Sequence, residues 1–256
     1  MKVFGIFYKP GLKSIVDEFV QKLKKKNAHI VFLTSNEKEI EDHTDLTLVI
    51  GGDGTVLKAA KYVSSPIIGF KGGRLGFLSS YTIDEFDKFL EHLESNSFYE
   101  DKRQFFEVLE LNSLYLNDIV AIREPHQKML DINVKFKDGS FYFHADGIII
   151  STPTGSTAYS LSLGGPILLP NVKAYVLTPI APQFLASRSV ILPDDEKISV
   201  ETSFPSHLIV DGHDFGKFNK FSVRKSEKSI TILRPLDYDF SKSIKEKMGY
   251  GKNYFK

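Results

Sequence analysis

The stretch Leu48-Val49-Ile50-Gly51-Gly52-Asp53-Gly54-Thr55 joins an apolar run to three glycines that surround one carboxylate. The next residues, 56–61, have the composition of a helix. This pattern predicts a strand, a tight turn and a helix N-terminus in succession. Glycines let the backbone approach a phosphate closely, and a helix N-terminus attracts anions. We therefore expect Asp53 to lie where a substrate hydroxyl meets a phosphoryl group.

The rest of the first hundred residues alternates short apolar runs with amphipathic segments. This alternation predicts an α/β domain with a parallel, doubly wound sheet, in which ligands bind beyond the C-terminal ends of the strands. The glycine turn lies at such an end. The predicted strands are 3–7, 30–33, 46–50 and 66–70, and the predicted helices are 14–26, the segment from the turn to about 63, and 83–93.

The pattern changes after about residue 100, where short apolar runs follow one another with few helical patterns between them. The predicted strands are 105–111, 113–122, 129–136, 140–143, 148–151, 174–177, 197–200, 207–210, 221–224 and 230–233. Such a series predicts an all-β domain, which we interpret as a sandwich. We therefore expect an α/β domain over 1–100 and a β-sandwich over 101–236. A final helix, predicted within 237–256, is expected to pack back on the first domain.

Composition excludes several classes of protein. The chain of 256 residues has 42% hydrophobic and 25% charged residues, which is ordinary for a globular protein. A net charge of +1 gives no general attraction to nucleic acid or anionic membranes. Cysteine is absent, which excludes disulfides and thiolate zinc sites, and the histidines lack zinc-site spacing. No run resembles a signal peptide or a membrane span, so a cytoplasmic protein without a protein-held metal site is expected.

The glycine turn has a plainer interpretation, because three glycines and a helix-capping aspartate are also what a tight turn needs. A second glycine-rich turn, 69–78, follows the next predicted strand. Its Arg74 could pair with phosphate and its Phe77 could pack on a base, although a flexible connector is the alternative. The chain contains neither a GxxxxGK[ST] P-loop nor a GxGxxG fingerprint, which disfavours P-loop NTPases and standard dehydrogenases.

Two further segments carry polar groups suited to a nucleoside. Asn117 and Asp118 lie in an apolar, strand-like frame. Asn can bind an adenine edge, and Asp can accept hydrogen bonds from ribose hydroxyls. The alternative interpretation is a polar pair at a strand edge without a ligand. The segment 151–166 consists mostly of Ser, Thr, Gly and Pro, with Tyr159 among them. We interpret it as a ligand-binding loop whose hydroxyls bind ribose or phosphate and whose tyrosine stacks on a base.

Together these segments resemble the NAD kinase family, the ATP-NAD 2'-phosphotransferases. The matching pieces are 51–55, 73–78, 117–118, 146–162 and 178–182, in the family's order. The first piece alone also resembles lipid kinases and phosphofructokinases, whereas 146–162 is highly specific. The resemblance implies an active site in a cleft between an α/β domain and a β-sandwich. It also implies homodimers or homotetramers in which a neighbouring subunit completes the NAD site.

The resemblance assigns roles to matching positions. It implies that Asp53 is the general base on the adenosine 2'-hydroxyl and that Asp146 lies near the nicotinamide end, with Ala181 approaching from a neighbouring subunit. The implied NAD-binding residues are Asp53, Gly54, Phe77, Asn117, Asp118, Lys128, His144, Asp146, Thr157, Ala158, Tyr159, Ser162, Ala181 and His213. The expected phosphate-binding residues are Gly51, Gly52, Gly54, Thr55 and Arg74.

Some positions depart from the family's pattern. Asp118 stands where the family often has Glu, Lys71 where Asn is common, and Gln183 where His often follows. His213 stands where many members carry Gln.

The implied reaction is transfer of the γ-phosphoryl of ATP to NAD, giving NADP, with Mg²⁺ accompanying the nucleotide. Two alternatives stay open: a lipid or sugar kinase of the same superfamily, and a non-catalytic dinucleotide sensor. The phosphoryl donor, ATP or polyphosphate, and the choice between NAD and NADH stay open as well.

Overall fold

Strands and helices alternate through the first hundred residues, as predicted. The computed structural model describes residues 2–73 and 75–248. The elements of this part are β1 (Val3–Tyr8), α1 (Lys13–Lys25), β2 (His29–Thr34), β3 (Leu46–Ile50), α2 (Asp53–Ala60), β4 (Ile67–Lys71), β5 (Tyr81–Thr82) and α3 (Phe86–Ser95).

Strands dominate the remainder of the chain. They are β6 (Phe98–Val108), β7 (Ser113–Tyr115), β8 (Asp118–Ile122), β9 (Leu130–Phe136), β10 (Gly139–Ala145), β11 (Gly147–Ser151), β12 (Ala174–Ile180), β13 (Val190–Pro193), β14 (Ile198–Val210) and β15 (His213–Pro235). Two helices accompany them, the short α4 (Tyr159–Ser162) and α5 (Phe240–Met248). No helix in the described ranges is long and apolar enough to cross a membrane.

The chain divides into two compact units, and the first is discontinuous in sequence. It takes Met1–Lys102 together with Ile230–Lys256, and the second takes Arg103–Ser229. The expected boundary of 236 differs from this division because the end of β15 belongs to the first sheet, where Ile232 pairs in parallel with Ile67. The part of the predicted last helix at 249–256 lies outside the described residues.

The first unit is built on a parallel sheet. Its strands pair in the order β2–β1–β3–β4, and every one of these pairs is parallel. α1 presents Val16, Phe19 and Leu23 at helical spacing, and these side chains pack with α3 on a sheet face that includes Ile50 and Phe70. Phe19 stacks on Phe86 with ring centroids 3.6 Å apart. Burial of each such side chain contributes about 1.5–3 kcal/mol to this core.

The second unit is built on antiparallel ladders. β14 pairs over its first half with β9 and over its second half with β8, so one strand takes part in two groups of strands. Both groups contribute to a single buried core, which includes Ile132, Val134, Ile150, Leu208 and Val223. These ladders agree with the predicted all-β character of this part.

Several predicted elements differ from the observed ones. The predicted strand 113–122 is interrupted at Leu116 and Asn117, where the backbone amides bind a side chain instead of a neighbouring strand. The strands predicted at 197–200 and 207–210 are one long strand, as are those at 221–224 and 230–233, since the polar residues between them stay extended. β13 was not predicted.

Candidate active site

The glycine turn is a strand, a turn and a helix N-terminus. β3 is buried along its whole length, and α2 begins at Asp53 with Gly52 as its N-cap. The amide of Gly51 donates to the Phe70 carbonyl at 2.8 Å, which ties the turn to the neighbouring strand. A Cβ at Gly51 would lie 2.4 Å from Thr55 Oγ1, so only glycine lets the threonine fold back over the turn. The helix N-terminus therefore opens directly beyond the sheet.

The second glycine-rich turn lies against the first and holds the Asp53 carboxylate. The amide of Phe77 donates to Oδ2 at 3.1 Å, and the amide of Leu78 donates to Oδ1 at 3.2 Å. A Cβ at Gly76 would lie 1.9 Å from Oδ1, so this approach requires glycine. Lys247 Nζ, from α5, donates to Oδ2 at 3.3 Å. Two amides and one ammonium thus fix the half-buried carboxylate.

These neighbours determine the charge of Asp53. Burial raises the pKa of its carboxyl group, but the ammonium groups of Lys247 and Lys71 and the amides of Leu78 and Phe77 lower it by more. The net pKa lies below the ordinary value for aspartate. Asp53 is therefore ionised at neutral pH and has the form that a general base needs.

A buried arginine supports the segment that binds Asp53. Arg234 is completely buried, and its guanidinium donates to the carbonyls of Phe77 and Ser79, each at 2.6 Å. Its Nε donates to Asp101 Oδ2 at 3.0 Å. Arg234 thus holds two carbonyls of the segment 77–79, while two amides of the same segment donate to Asp53.

The second turn contains two predicted ligand-binding residues, Phe77 and Arg74. Phe77 is only 7% exposed, and its ring packs against Phe240 with centroids 5.6 Å apart. A contact between Phe77 and a base would therefore use the small exposed part of the ring. Arg74 lies outside the described residues.

A cleft of about 450 Å³ opens at the N-terminus of α2. Among its lining residues are Lys9, Ser35, Gly52, Thr55 and Lys58. Two lysines and a helix N-terminus favour an anion, and the position beyond the C-terminal ends of parallel strands is where such sheets bind ligands. The lysines and Ser35 were not among the predicted residues, because isolated polar residues in loops and helices carry no pattern.

In the second unit, Asp211 organises the predicted pair Asn117 and Asp118. Its carboxylate accepts hydrogen bonds from three successive amides, those of 116–118, at 2.8–3.4 Å. Asp211 itself has a positive φ of 46°, and its carboxylate lies beside the interruption between β7 and β8. Asn117, expected to contact a nucleoside, therefore lies in the interruption of the predicted strand, and its predicted partner Asp118 is the first residue of β8.

The hydroxyl-rich loop packs directly on this pair. The amide of Thr152 donates to the Asn117 carbonyl at 2.9 Å, and a Cβ at Gly155 would lie 2.0 Å from the same oxygen. Several loop hydroxyls are buried and bond within the second unit, as Ser156 Oγ does to the Pro153 carbonyl at 2.7 Å and Ser160 Oγ to Thr178 Oγ1 at 2.8 Å. The expectation that the loop's hydroxyls serve a ligand is thus corrected for these two, which stabilise the loop.

The predicted residues of the loop are its more exposed members. Tyr159 is 42% exposed, Ser162 is exposed, and Thr157 and Ala158 are partly exposed. Thr157 and Ala158 come just before α4, Tyr159 is its first residue and Ser162 is its last. The internal hydroxyls therefore build a support that presents these four residues to solvent.

The remaining predicted residues lie near the ends of β10 and β12, at the start of β15 or, for Lys128, in the loop before β9. Asp146 Oδ1 accepts from Arg123 Nε at 2.5 Å, and His144 Nδ1 is 2.7 Å from Asp131 Oδ1. Lys128 and Ala181 are exposed, and Ala181 has a positive φ of 44°. His213 is exposed, with Nδ1 3.3 Å from the Asp211 carbonyl oxygen. The geometry thus leaves Asp146 paired with a cation.

Burial gives Asp118 an unusual charge state. Desolvation and, to a smaller extent, the charge of Asp211 raise the pKa of its carboxyl group to about 7, against the opposing effect of the hydrogen bond from the Tyr159 amide. Because the unfolded carboxyl group loses its proton at lower pH, this group reduces stability as pH rises from about 4 to about 7.

Asp118→Asn is therefore expected to be more stable than the wild type at pH 8, since each unit of pKa shift is worth about 1.4 kcal/mol. The amide oxygen can still accept from Tyr159. Denaturant unfolding at a series of pH values measures the difference, which should vanish below about pH 4, where both states of the wild type are protonated. Parallel stability curves for the two proteins from pH 4 to pH 8 would contradict the expectation.

Among residues 2–73 and 75–248, no group of three or more histidine, aspartate or glutamate side chains could hold a metal ion.

An ionised carboxylate at a helix N-terminus, beside a basic cleft at the end of a parallel sheet, is typical of a phosphotransferase. Two family models match the chain: the ATP-NAD kinase N-terminal domain over residues 7–98 and the ATP-NAD kinase C-terminal domain over residues 116–234. The chain therefore belongs to the NAD kinase family, and the resemblance found from its motifs is confirmed.

Relatives and solved structures agree with this membership. An NAD kinase from Thermosipho melanesiensis is 59% identical over 99% of this chain and 100% of its own length. An NAD kinase from Thermotoga maritima is 44% identical over 98% and 99%. The crystal structure of yeast NADH kinase complexed with NADH has a TM-score of 0.83 at 26% identity, covering 99% of this chain and 89% of that one.

A crystal structure of an Archaeoglobus fulgidus NAD kinase in complex with ATP has a TM-score of 0.79 at 22% identity, covering 96% and 97% of the two chains. At this identity the likeness bears on the fold alone. The two-domain NAD kinase fold, with its mixture of parallel and antiparallel strands, is thus the fold of this protein.

Proposed function

We propose that this protein transfers the γ-phosphoryl group of ATP to the 2'-hydroxyl of the adenosine ribose of NAD, giving NADP. NAD kinase activity follows from its relatives, and the finer assignment of donor, acceptor atom and residues is our proposal. The observation that carries it is the ionised Asp53 carboxylate, held by two amides at a helix N-terminus in a chain 59% identical to an NAD kinase.

Asp53 is the general base in this proposal. Phosphoryl transfer of this kind has a loose, in-line transition state, so the hydroxyl proton leaves late and a carboxylate of low pKa suffices. The donor phosphates would bind at the N-terminus of α2, through the amides of Gly51, Gly52 and Gly54 and the Thr55 hydroxyl. Lys9 and Lys58, which line the cleft there, add positive charge.

The second unit would bind the dinucleotide. Asn117 and Asp118 contact the adenosine, and the exposed residues of the loop enclose the nucleoside. A carboxyl group with a pKa near 7 can either accept from or donate to a ribose hydroxyl. The other residues proposed to contact NAD are Gly54, Phe77, Lys128, His144, Asp146, Thr157, Ala158, Tyr159, Ser162, Ala181 and His213.

We also propose an oligomeric state and a metal. The protein would form homodimers or homotetramers in which Ala181 approaches a neighbouring subunit's NAD. Mg²⁺ would enter with ATP, where it neutralises phosphate charge.

One assay tests the proposed reaction. The purified protein is incubated with NAD and Mg²⁺ and either ATP or inorganic polyphosphate, and NADP is read with an NADP-specific dehydrogenase. We expect NADP to form with ATP at a rate proportional to enzyme concentration. Formation with polyphosphate alone would change the assigned donor, and NADH in place of NAD tests the acceptor.

Two further experiments distinguish NAD kinase activity from the alternative functions. Diacylglycerol and sphingoid bases are offered beside NAD with labelled ATP, and their phosphorylation in preference to NAD would identify a lipid kinase. Calorimetric binding of NAD without product on long incubation would identify a sensor. Either outcome would refute the proposed function.

A further inference from the structure

The side chain of Lys247 lies against the proposed base. Its Nζ is 3.3 Å from Asp53 Oδ2 and 4.0 Å from the centroid of the Phe77 ring. The lysine side chain is 24% exposed and that of Asp53 is 28% exposed. A carboxylate and an aromatic face together thus hold one cation at a partly desolvated position that solutes can still reach.

We propose that Lys247 is a catalytic residue whose ammonium group binds the phosphoryl group while it passes to the 2'-hydroxyl. The inference rests on the proposed function, because it takes Asp53 as the base. Lys247 carries no signal in the sequence, since a lysine near the end of an amphipathic helix resembles the solvated lysines around it.

An ammonium group beside a general base needs a reason. A base is most effective when its pKa is near the working pH, and the positive charge of Lys247 lowers the pKa of Asp53. The lysine therefore weakens Asp53 as a base, and its benefit has to lie in another charge. A phosphoryl group in transfer spreads negative charge over three oxygens, and catalysis of this transfer is mainly positioning and electrostatic stabilisation.

The surroundings of Asp53 support this division of roles. Lys71, from β4, also acts on the carboxylate through its charge, and the amides of Phe77 and Leu78 hold both carboxylate oxygens. The amides and Lys71 already favour the ionised form. Lys247 is the lysine whose ammonium group donates to Oδ2, and its flexible four-carbon arm lets that charge move to an arriving anion.

The bond between the γ-phosphorus of ATP and its bridging oxygen breaks, and ADP leaves with the electron pair. A bond forms between the ribose 2'-oxygen and the phosphorus, and the hydroxyl proton passes to Asp53 Oδ2. Lys247 exchanges its contact with Oδ2 for one with a phosphoryl oxygen, which frees Oδ2 to receive the proton.

Lys247→Met tests the proposal, with Lys245→Met as its matched control. Lys245 is exposed on the same helix. We expect kcat to fall about 10²-fold in Lys247→Met, as for loss of one transition-state donor, with the KM for NAD little changed. Lys247→Arg should recover part of kcat because it keeps the charge. Lys245→Met should keep wild-type kcat, and thermal unfolding of all three variants shows whether each folds.

A pH profile separates catalysis from helix packing. Removing the ammonium should move the acid limb of kcat to higher pH, because the pKa of Asp53 rises when this neighbouring cation is lost. Wild-type kcat and an unmoved acid limb in Lys247→Met would overturn the proposal, whatever its stability, as would an equal loss of kcat in Lys245→Met. If Lys247→Met loses most of its kcat while Asp53→Asn keeps full turnover, the catalytic role of Lys247 stands and Asp53 is not the general base.

Discussion

Asp53→Asn is expected to lower kcat for NAD phosphorylation by about 10²–10⁴-fold, the usual contribution of a general base. Asparagine has the size of aspartate, and its amide oxygen can still accept one of the two backbone hydrogen bonds from Phe77 and Leu78. It cannot take a proton from the 2'-hydroxyl. Because the other residues proposed to bind NAD are unchanged, calorimetry should show an affinity for NAD that is largely intact.

Two variants sharpen this result. Asp17→Asn, at an exposed position of α1, is the matched control and should keep wild-type turnover. Asp53→Glu keeps the charge but moves the carboxylate by one methylene, which the contact with Gly76 does not accommodate. It should therefore be impaired as well. Full turnover in Asp53→Asn would remove Asp53 from the role of base.

Arg234→Met is expected to lower the free energy of unfolding by about 3–5 kcal/mol, the cost of removing one member of a buried ionic site. The guanidinium is completely buried and gives charge-assisted hydrogen bonds to Asp101 and to the carbonyls of Phe77 and Ser79. Its ring contact with Tyr238, 4.2 Å from the guanidinium carbon to the centroid, is lost too. Guanidinium chloride unfolding, followed through midpoint and slope, measures the change.

Arg224→Met is the matched control for this measurement. Arg224 is 60% exposed and pairs with Glu107, so its removal should cost no more than about 1 kcal/mol. Arg234→Lys should fall between the two, since lysine keeps the charge but cannot reach both carbonyls as a planar fork does. Equal midpoints for Arg234→Met and Arg224→Met would contradict the importance assigned to the buried arginine.

The parts of the fold that depend on local pattern were predictable from the sequence. β3 was predicted with its observed bounds, because an unbroken apolar run that ends in glycines has few other structures. α1 was predicted within one residue at each end, from the spacing of Val16, Phe19 and Leu23. The merging of four predicted strands into β14 and β15 was not predictable, since ladder partners far along the chain decide whether polar residues stay extended.

The candidate site likewise has parts that local sequence predicts and parts that it does not. The two glycine turns and the hydroxyl-rich loop were visible in the sequence because glycine and hydroxyl residues are rarely clustered without a backbone reason. Asp211, Arg234 and Lys247 were not, since each acts on a segment at least 90 residues away. A lone charged residue carries no local signal of such a partner. The loop's internal hydroxyls show the converse error, in which composition suggested ligand contacts for groups that bond within their own unit.

The discontinuity of the first unit bears on how the protein is made. Ribosomes release a chain in sequence order, and domains tend to fold as they emerge. The strand end that carries Arg234 and the helix that carries Lys247 follow the whole of the second unit, Arg103–Ser229, in that order. A nascent first unit therefore has Asp53 and its glycine turns long before it has the two cations that hold them. Competence for phosphoryl transfer is thus delayed until the intervening unit has been synthesised.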